Sequence, residues 1–169
     1  MSFWNLFKNE EQTTKSESHL QGKIRDLLPY AEEETLITVT CVAGLMARVA
    51  FSDLVIDPKE VEQMNQSLGD FAILDALQTK AAIQIALEDV KALCGIENHM
   101  YTDPLSTMLT SEQRYSLLKA LFKLAASDGK AEQVESEEIR LICKGLLLEN
   151  KHFIAARATV ADSLEALKK

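Results

Sequence analysis

At 169 residues the chain has the length of a single domain and can bury about two-thirds of the surface its unfolded form exposes. Its formal net charge of −8 argues against a broad phosphate-binding surface, which needs clustered Lys and Arg, so nucleic acid is not an expected partner. A hydrophobic share of 47% with 6% aromatics, three prolines and six glycines favours long packed helices over a sandwich or barrel.

Phe3, Trp4, Leu6 and Phe7 open the chain with an apolar stretch too short for a secretory signal or a membrane span. It either folds back on the domain or stays loose, the sharper alternative being weak contact with a membrane surface or a partner. Residues 9–19 are polar and aperiodic, so 1–19 reads as a flexible leader before a helical domain over 20–169. Leu20, Ile24, Leu27 and Leu28 recur at helical spacing, and Pro29 ends that helix. Glu32–Glu34 place negative charge at the start of the next, which carries Leu36, Val39, Val42, Leu45, Met46 and Val49 to about Ser52.

Asp57, Pro58 and Glu60 form a capping box for a third helix ending at Gly69. Another runs from about Phe71 or Leu74 to Leu93, with a break near Gln78 and a stop at Gly95. Residues 96–110, containing Asp103-Pro104, read as the longest linker. Thr110 with Gln113 then starts a helix through Leu117, Leu118, Leu121 and Leu124. Asp128-Gly129 makes a turn, and helices follow over about Gln133–Leu148 and Asn150–Leu167. The expected fold is all-α, one compact domain of about seven or eight helices.

Cys41, Cys94 and Cys143 lie far apart in apolar stretches and read as core residues of a reducing compartment; no C-x2-C pair suggests zinc. His19, His99 and His152 are isolated, and read as solvated or locally hydrogen-bonded. No nucleophile elbow, phosphate loop or H-E-x-x-H occurs, so the chain is expected not to be an enzyme.

Laid on itself, the chain repeats. Ala50-Phe-Ser52-Asp53 aligns with Ala125-Ala-Ser127-Asp128, and without a gap Asp57 meets Glu132, Glu60 meets Glu135, Glu62 meets Glu137 and Met64 meets Ile139. Upstream, Val42, Met46 and Val49 fall on Leu117, Leu121 and Leu124. Two helical hairpins, over about 31–69 and 110–149, are thus read as a duplication, each with one apolar face to bury.

Each hairpin corner carries three carboxylates: Asp53, Asp57 and Glu60, then Asp128, Glu132 and Glu135. Ca2+ and Mg2+ take several oxygen ligands, so these are candidate metal-binding residues, although neither corner has EF-hand spacing. The plainer reading is helix capping and surface charge: Asp57 and Glu60 explain themselves as caps, Asp128-Gly129 as turn chemistry, and Glu132 is explained less fully.

The run Leu118-Lys-Ala-Leu-Phe-Lys-Leu-Ala-Ala-Ser-Asp-Gly129, with Glu135-Ser-Glu-Glu-Ile-Arg-Leu-Ile142 and His152-Phe-Ile-Ala-Ala-Arg157, resembles the TerB tellurite-resistance family. It is similar also to the helical domain that precedes the J-domain in DjlA-type co-chaperones. The resemblance spans roughly Leu36 to Leu164. It implies a duplicated all-helical domain of the bacterial cytoplasm, serving tellurite and other metal or envelope stress through protein partners near the inner membrane. It also implies metal binding by the acidic motif, carried here by Asp53 and Glu60 and by Asp128 and Glu135. One departure is Leu54, where the family places glycine after the first aspartate; Gly129 is retained in the second corner. With no J-domain following, stimulation of an Hsp70 partner is not expected. The alternative implied function is a protein–protein adaptor or co-chaperone-like module whose acidic turns only cap helices.

Overall fold

A computed structural model describes residues 3–4, 19–50, 73–125 and 133–167, and the side chains of these apart from 50, 133–136 and 160–167. Among the described residues there are eight helices and no strand: α1 (His19–Leu27), α2 (Glu33–Ala50), α3 (Ala76–Glu88), α4 (Val90–Cys94), α5 (Asn98–Met108), α6 (Ser111–Ala125), α7 (Gln133–Gly145) and α8 (Asn150–Leu167). The all-α expectation holds. The helix expected between Asp57 and Gly69 lies outside the described residues.

Helix α2 forms the axis of the fold. It packs against α1, α3, α4, α5, α6 and α7, and every residue from Thr38 to Ala47 is buried. A helix enclosed on all sides must be apolar all round rather than along one stripe. That is how its middle reads: Thr38-Val-Thr-Cys-Val-Ala-Gly-Leu-Met-Ala47 contains no charge. Its two hydroxyls cost little there because each donates to its own helix, Thr38 Oγ1 to Glu34 O at 2.8 Å and Thr40 Oγ1 to Leu36 O at 2.9 Å.

Two helix boundaries differ from the sequence reading. The break in the 71–93 region comes at Asp89, between α3 and α4, and not near Gln78. Gln78 instead completes a capping box with Asp75: Gln78 N donates to Asp75 Oδ1 at 2.8 Å, and Asp75 N donates to Gln78 Oε1 at 3.1 Å. The expected linker over 96–110 is largely helix α5, with Pro104 inside it. Pro104 removes one intrahelical donor, but Tyr101, Thr102 and Leu105 share a buried face, and that burial outweighs the break. Thr110 and Gln113 make the reciprocal cap expected of them, at 2.8 and 3.2 Å.

Two glycines allow helices to approach closely. The Tyr101 ring lies flat on Gly44 of α2, and its hydroxyl donates to Leu93 O at 2.7 Å. Gly145, at the end of α7, takes the Thr102 side chain of α5 in the same way.

Helix α7 closes in a Schellman turn. Leu148 N donates to Cys143 O at 3.1 Å and Leu147 N to Lys144 O at 3.0 Å, with Leu147 at φ 60. A leucine in this left-handed region costs about 1–2 kcal/mol, and its side chain is 71% exposed, so burial returns little. Leu147→Gly should therefore raise unfolding free energy by about 0.5–1 kcal/mol after glycine's greater unfolded-state entropy is counted. Urea denaturation checks this; a loss of stability would show that the leucine side chain supports the turn.

At the other end of the chain, Trp4 is 1% exposed and stands edge-on to Phe3 at 5.1 Å between ring centroids. Its indole Nε1 donates to Glu33 Oε1, in the first turn of α2. Of the alternatives for the opening apolar stretch, these two residues take the folded-back one. Nearby, Lys23 of α1 bridges Asp89 at 2.7 Å and Glu88, tying α1 to the break after α3. Burial lowers the Lys23 pKa, but its hydrogen bonds to Asp89 and Glu88 outweigh this and leave it raised.

Candidate functional site

The helices that flank the two acidic segments fix where those segments leave and rejoin the described fold. Arg48, in the last turn of α2, donates from Nε to Glu138 Oε1 of α7 at 2.7 Å. Arg114, near the start of α6, donates from Nη1 to Leu146 O just past the end of α7, so these two packed helices run antiparallel. The carboxyl ends of α2 and α6 and the amino end of α7 therefore meet at one end. Segment 51–72 leaves from Ala50 there, and segment 126–132 joins Ala125 to Gln133 there.

Asp53, Asp57, Glu60, Asp128 and Glu132 lie outside the described residues, and Glu135 sits in the first turn of α7 with its side chain undescribed. Among the described residues no three of His, Cys, Asp or Glu gather into a metal-holding group. Residues paired by the repeat behave alike: Val42, Met46 and Val49, and their counterparts Leu117, Leu121 and Leu124, are all buried.

Arg48 was not singled out from the sequence, yet it organises this end. Besides Glu138, its Nη1 donates to Cys94 O at 2.9 Å and Ile96 O at 2.6 Å, satisfying carbonyls that the end of α4 leaves without helical partners. Arg48 and Glu138 are each 23% exposed, so the pair is partly withdrawn from water. The signal was available: from Leu36 to Ala50, Arg48 is the one charged residue. A lone arginine in an apolar helix calls for a buried acceptor set.

Cys41, Cys94 and Cys143 form no disulfide with one another. Burial pushes the thiols of Cys41, Cys94 and Cys143 up, with Arg48 opposing the effect at Cys94, so thiolate chemistry is disfavoured at all three. His152 is locally bonded, its Nδ1 accepting from Glu149 N at 3.0 Å at the start of α8. A shallow cleft of about 200 Å³ lies between the start of α2, the start of α3 and the end of α5. It is lined by Glu34, Thr35, Thr38, Ile73, Leu74, Gln78, Met108 and Leu109, with Glu34 its one carboxylate. Among the described residues no helix is long and apolar enough to cross a membrane.

The family model described as tellurite resistance protein TerB matches residues 39–158. The chain belongs to the TerB family. No curated protein and no solved structure matches it. The TerB match runs from within α2 to within α8, so it contains both acidic segments and both partners of the Arg48–Glu138 pair. It leaves Phe3, Trp4 and α1 outside.

Proposed function

We propose that this TerB-family chain is a non-catalytic binding or scaffold module serving tellurite or other metal and envelope stress in the cytoplasm. Its acidic corners offer carboxylates to a divalent cation of the Ca2+ or Mg2+ class, and protein partners at the inner membrane receive the result. The observation that supports this reading is that the family match encloses both acidic segments, whose flanking helices converge on one end of the fold. Asp53, Asp57 and Glu60 would be ligands from one segment; Asp128 and Glu132, with Glu135 from the first turn of α7, would be ligands from the other.

Calorimetric titration with Ca2+, Mg2+, Mn2+ and Zn2+ is the direct test. Saturable heat with at least one ion, and a melting temperature that rises with its concentration, is the expected result. Heat should vanish in Glu60→Gln and Glu135→Gln. No heat with any ion, together with an unmoved melting temperature, would eliminate the cation. The second reading would then stand: a protein–protein adaptor, co-chaperone-like in its helical domain, whose acidic corners cap helices. In that case Glu60→Gln and Glu135→Gln lower stability and leave partner capture intact.

A further inference from the structure

Among the described residues, Trp4 lies outside the eight helices, whereas the other largest fully buried side chains lie within them. It sits in the first turn-like segment of the chain, 29 residues from the Glu33 carboxylate that accepts its indole N–H. Between Trp4 and the first helix lie residues 5–18, and the eleven from Lys8 to Ser18 contain no Leu, Ile, Val, Met or aromatic residue. The family match begins at residue 39, so the Phe3–Trp4 segment and most of the corner that receives it lie outside the matched residues. The seat is at the edge of the fold: Glu33 is 51% exposed and lies within 3.6 Å of Arg25 of α1.

We propose that the Phe3–Trp4 segment is a detachable ligand of its own domain, and that the seat beside Glu33 also accepts the same segment from a second copy of the chain. Withdrawing the segment breaks the indole–carboxylate bond and exposes two rings, while α2 and the helices around it keep their contacts. Such an opening is local and requires less free energy than global unfolding. The second copy is the occupant because its segment has the identical apolar face and indole donor. Fourteen linking residues reach up to about 50 Å when extended, about the width of a domain this size, so the segment can cross to a neighbour. Docking within one chain competes at the high effective concentration of a tethered ligand, so exchange between copies should grow with protein concentration.

Trp4 is the single tryptophan, which makes the test clean. In the unaltered chain, its indole N–H should exchange with solvent deuterium about 100-fold or more faster than the slowest amides of α2. Exchange at the same rate as those amides would mean that Trp4 leaves only when the whole domain unfolds, and would overturn the proposal. In full-length Trp4→Ala, added peptide of residues 1–8 should show a saturable blue shift of its tryptophan emission, weaker when unaltered protein is the host. A peptide that shows no shift with a host that still melts cooperatively would overturn it as well. Sedimentation should find a dimer fraction that rises with concentration in the unaltered protein and is lost in Trp4→Ala. A monomer at every concentration would remove the second copy as the occupant.

Discussion

Gly44→Ala should destabilise the domain by about 3 kcal/mol or more, at the upper end of what overpacking a core costs. The new methyl group would stand against three carbons of the Tyr101 ring, Cζ, Cε1 and Cε2, roughly 1 Å inside ordinary carbon–carbon contact. Neither side can yield easily. Tyr101 is fully buried and held at its far end by the hydrogen bond to Leu93 O, while Gly44 lies mid-way along the enclosed helix α2. Burial, followed by the neighbouring Cys41 and Cys94, pushes the Tyr101 phenol well above its ordinary range and so favours its protonated, hydrogen-bond-donating form. Urea unfolding of Gly44→Ala, Tyr101→Leu and the double variant gives the coupling. The double variant should be more stable than the sum of the two losses predicts, by about 1–3 kcal/mol. Strict additivity would mean that the two residues do not oppose each other, and that the close approach of α2 and α5 is not what the glycine serves.

Arg48→Met should cost about 2–4 kcal/mol, because it leaves the Glu138 carboxylate and the carbonyls of Cys94 and Ile96 without their shared donor. Methionine keeps most of the apolar stem, so the loss measures the guanidinium and not the packing. Glu138→Gln should cost about 1 kcal/mol or less, since Arg48 keeps both carbonyl partners and the amide oxygen can still accept. Denaturant melts of the two variants should therefore differ severalfold. Equal losses would place the stabilisation in the ion pair alone and not in the carbonyls at the end of α4. This pair ties the last turn of α2 to the middle of α7.

Much of the helical skeleton was legible from local signals. Pro29, the Glu33–Glu34 pair, the Thr110–Gln113 cap and Gly95 act through a single turn of backbone, and each marks the expected boundary. The misreadings have two causes, one tertiary and one local. Asp103-Pro104 is a strong local turn signal, but Tyr101 and Leu105 gain more by burial against the core than the proline forfeits. Gln78 was read as a break because Asp75 was not recognised as its capping partner.

The candidate site divides along the same line. Its composition was written in sequence, six carboxylates at two aligned corners, and so was membership of the TerB family, which the match over 39–158 bears out. Arg48 was passed over because one cation in an apolar run carries no periodic signal, and its three acceptors come from two distant parts of the chain, 94–96 and 138.

By itself, then, the sequence determined many of the helix boundaries among the described residues and that their apolar residues form the core, because propensity, capping and hydrophobic periodicity act between near neighbours. The tertiary structure alone decided that α2 is the enclosed axis, that Gly44 makes room for Tyr101, and that Trp4 reaches back across 29 residues to Glu33. Those outcomes depend on which surfaces meet, and steric fit between distant segments leaves no trace in the order of residues along the chain.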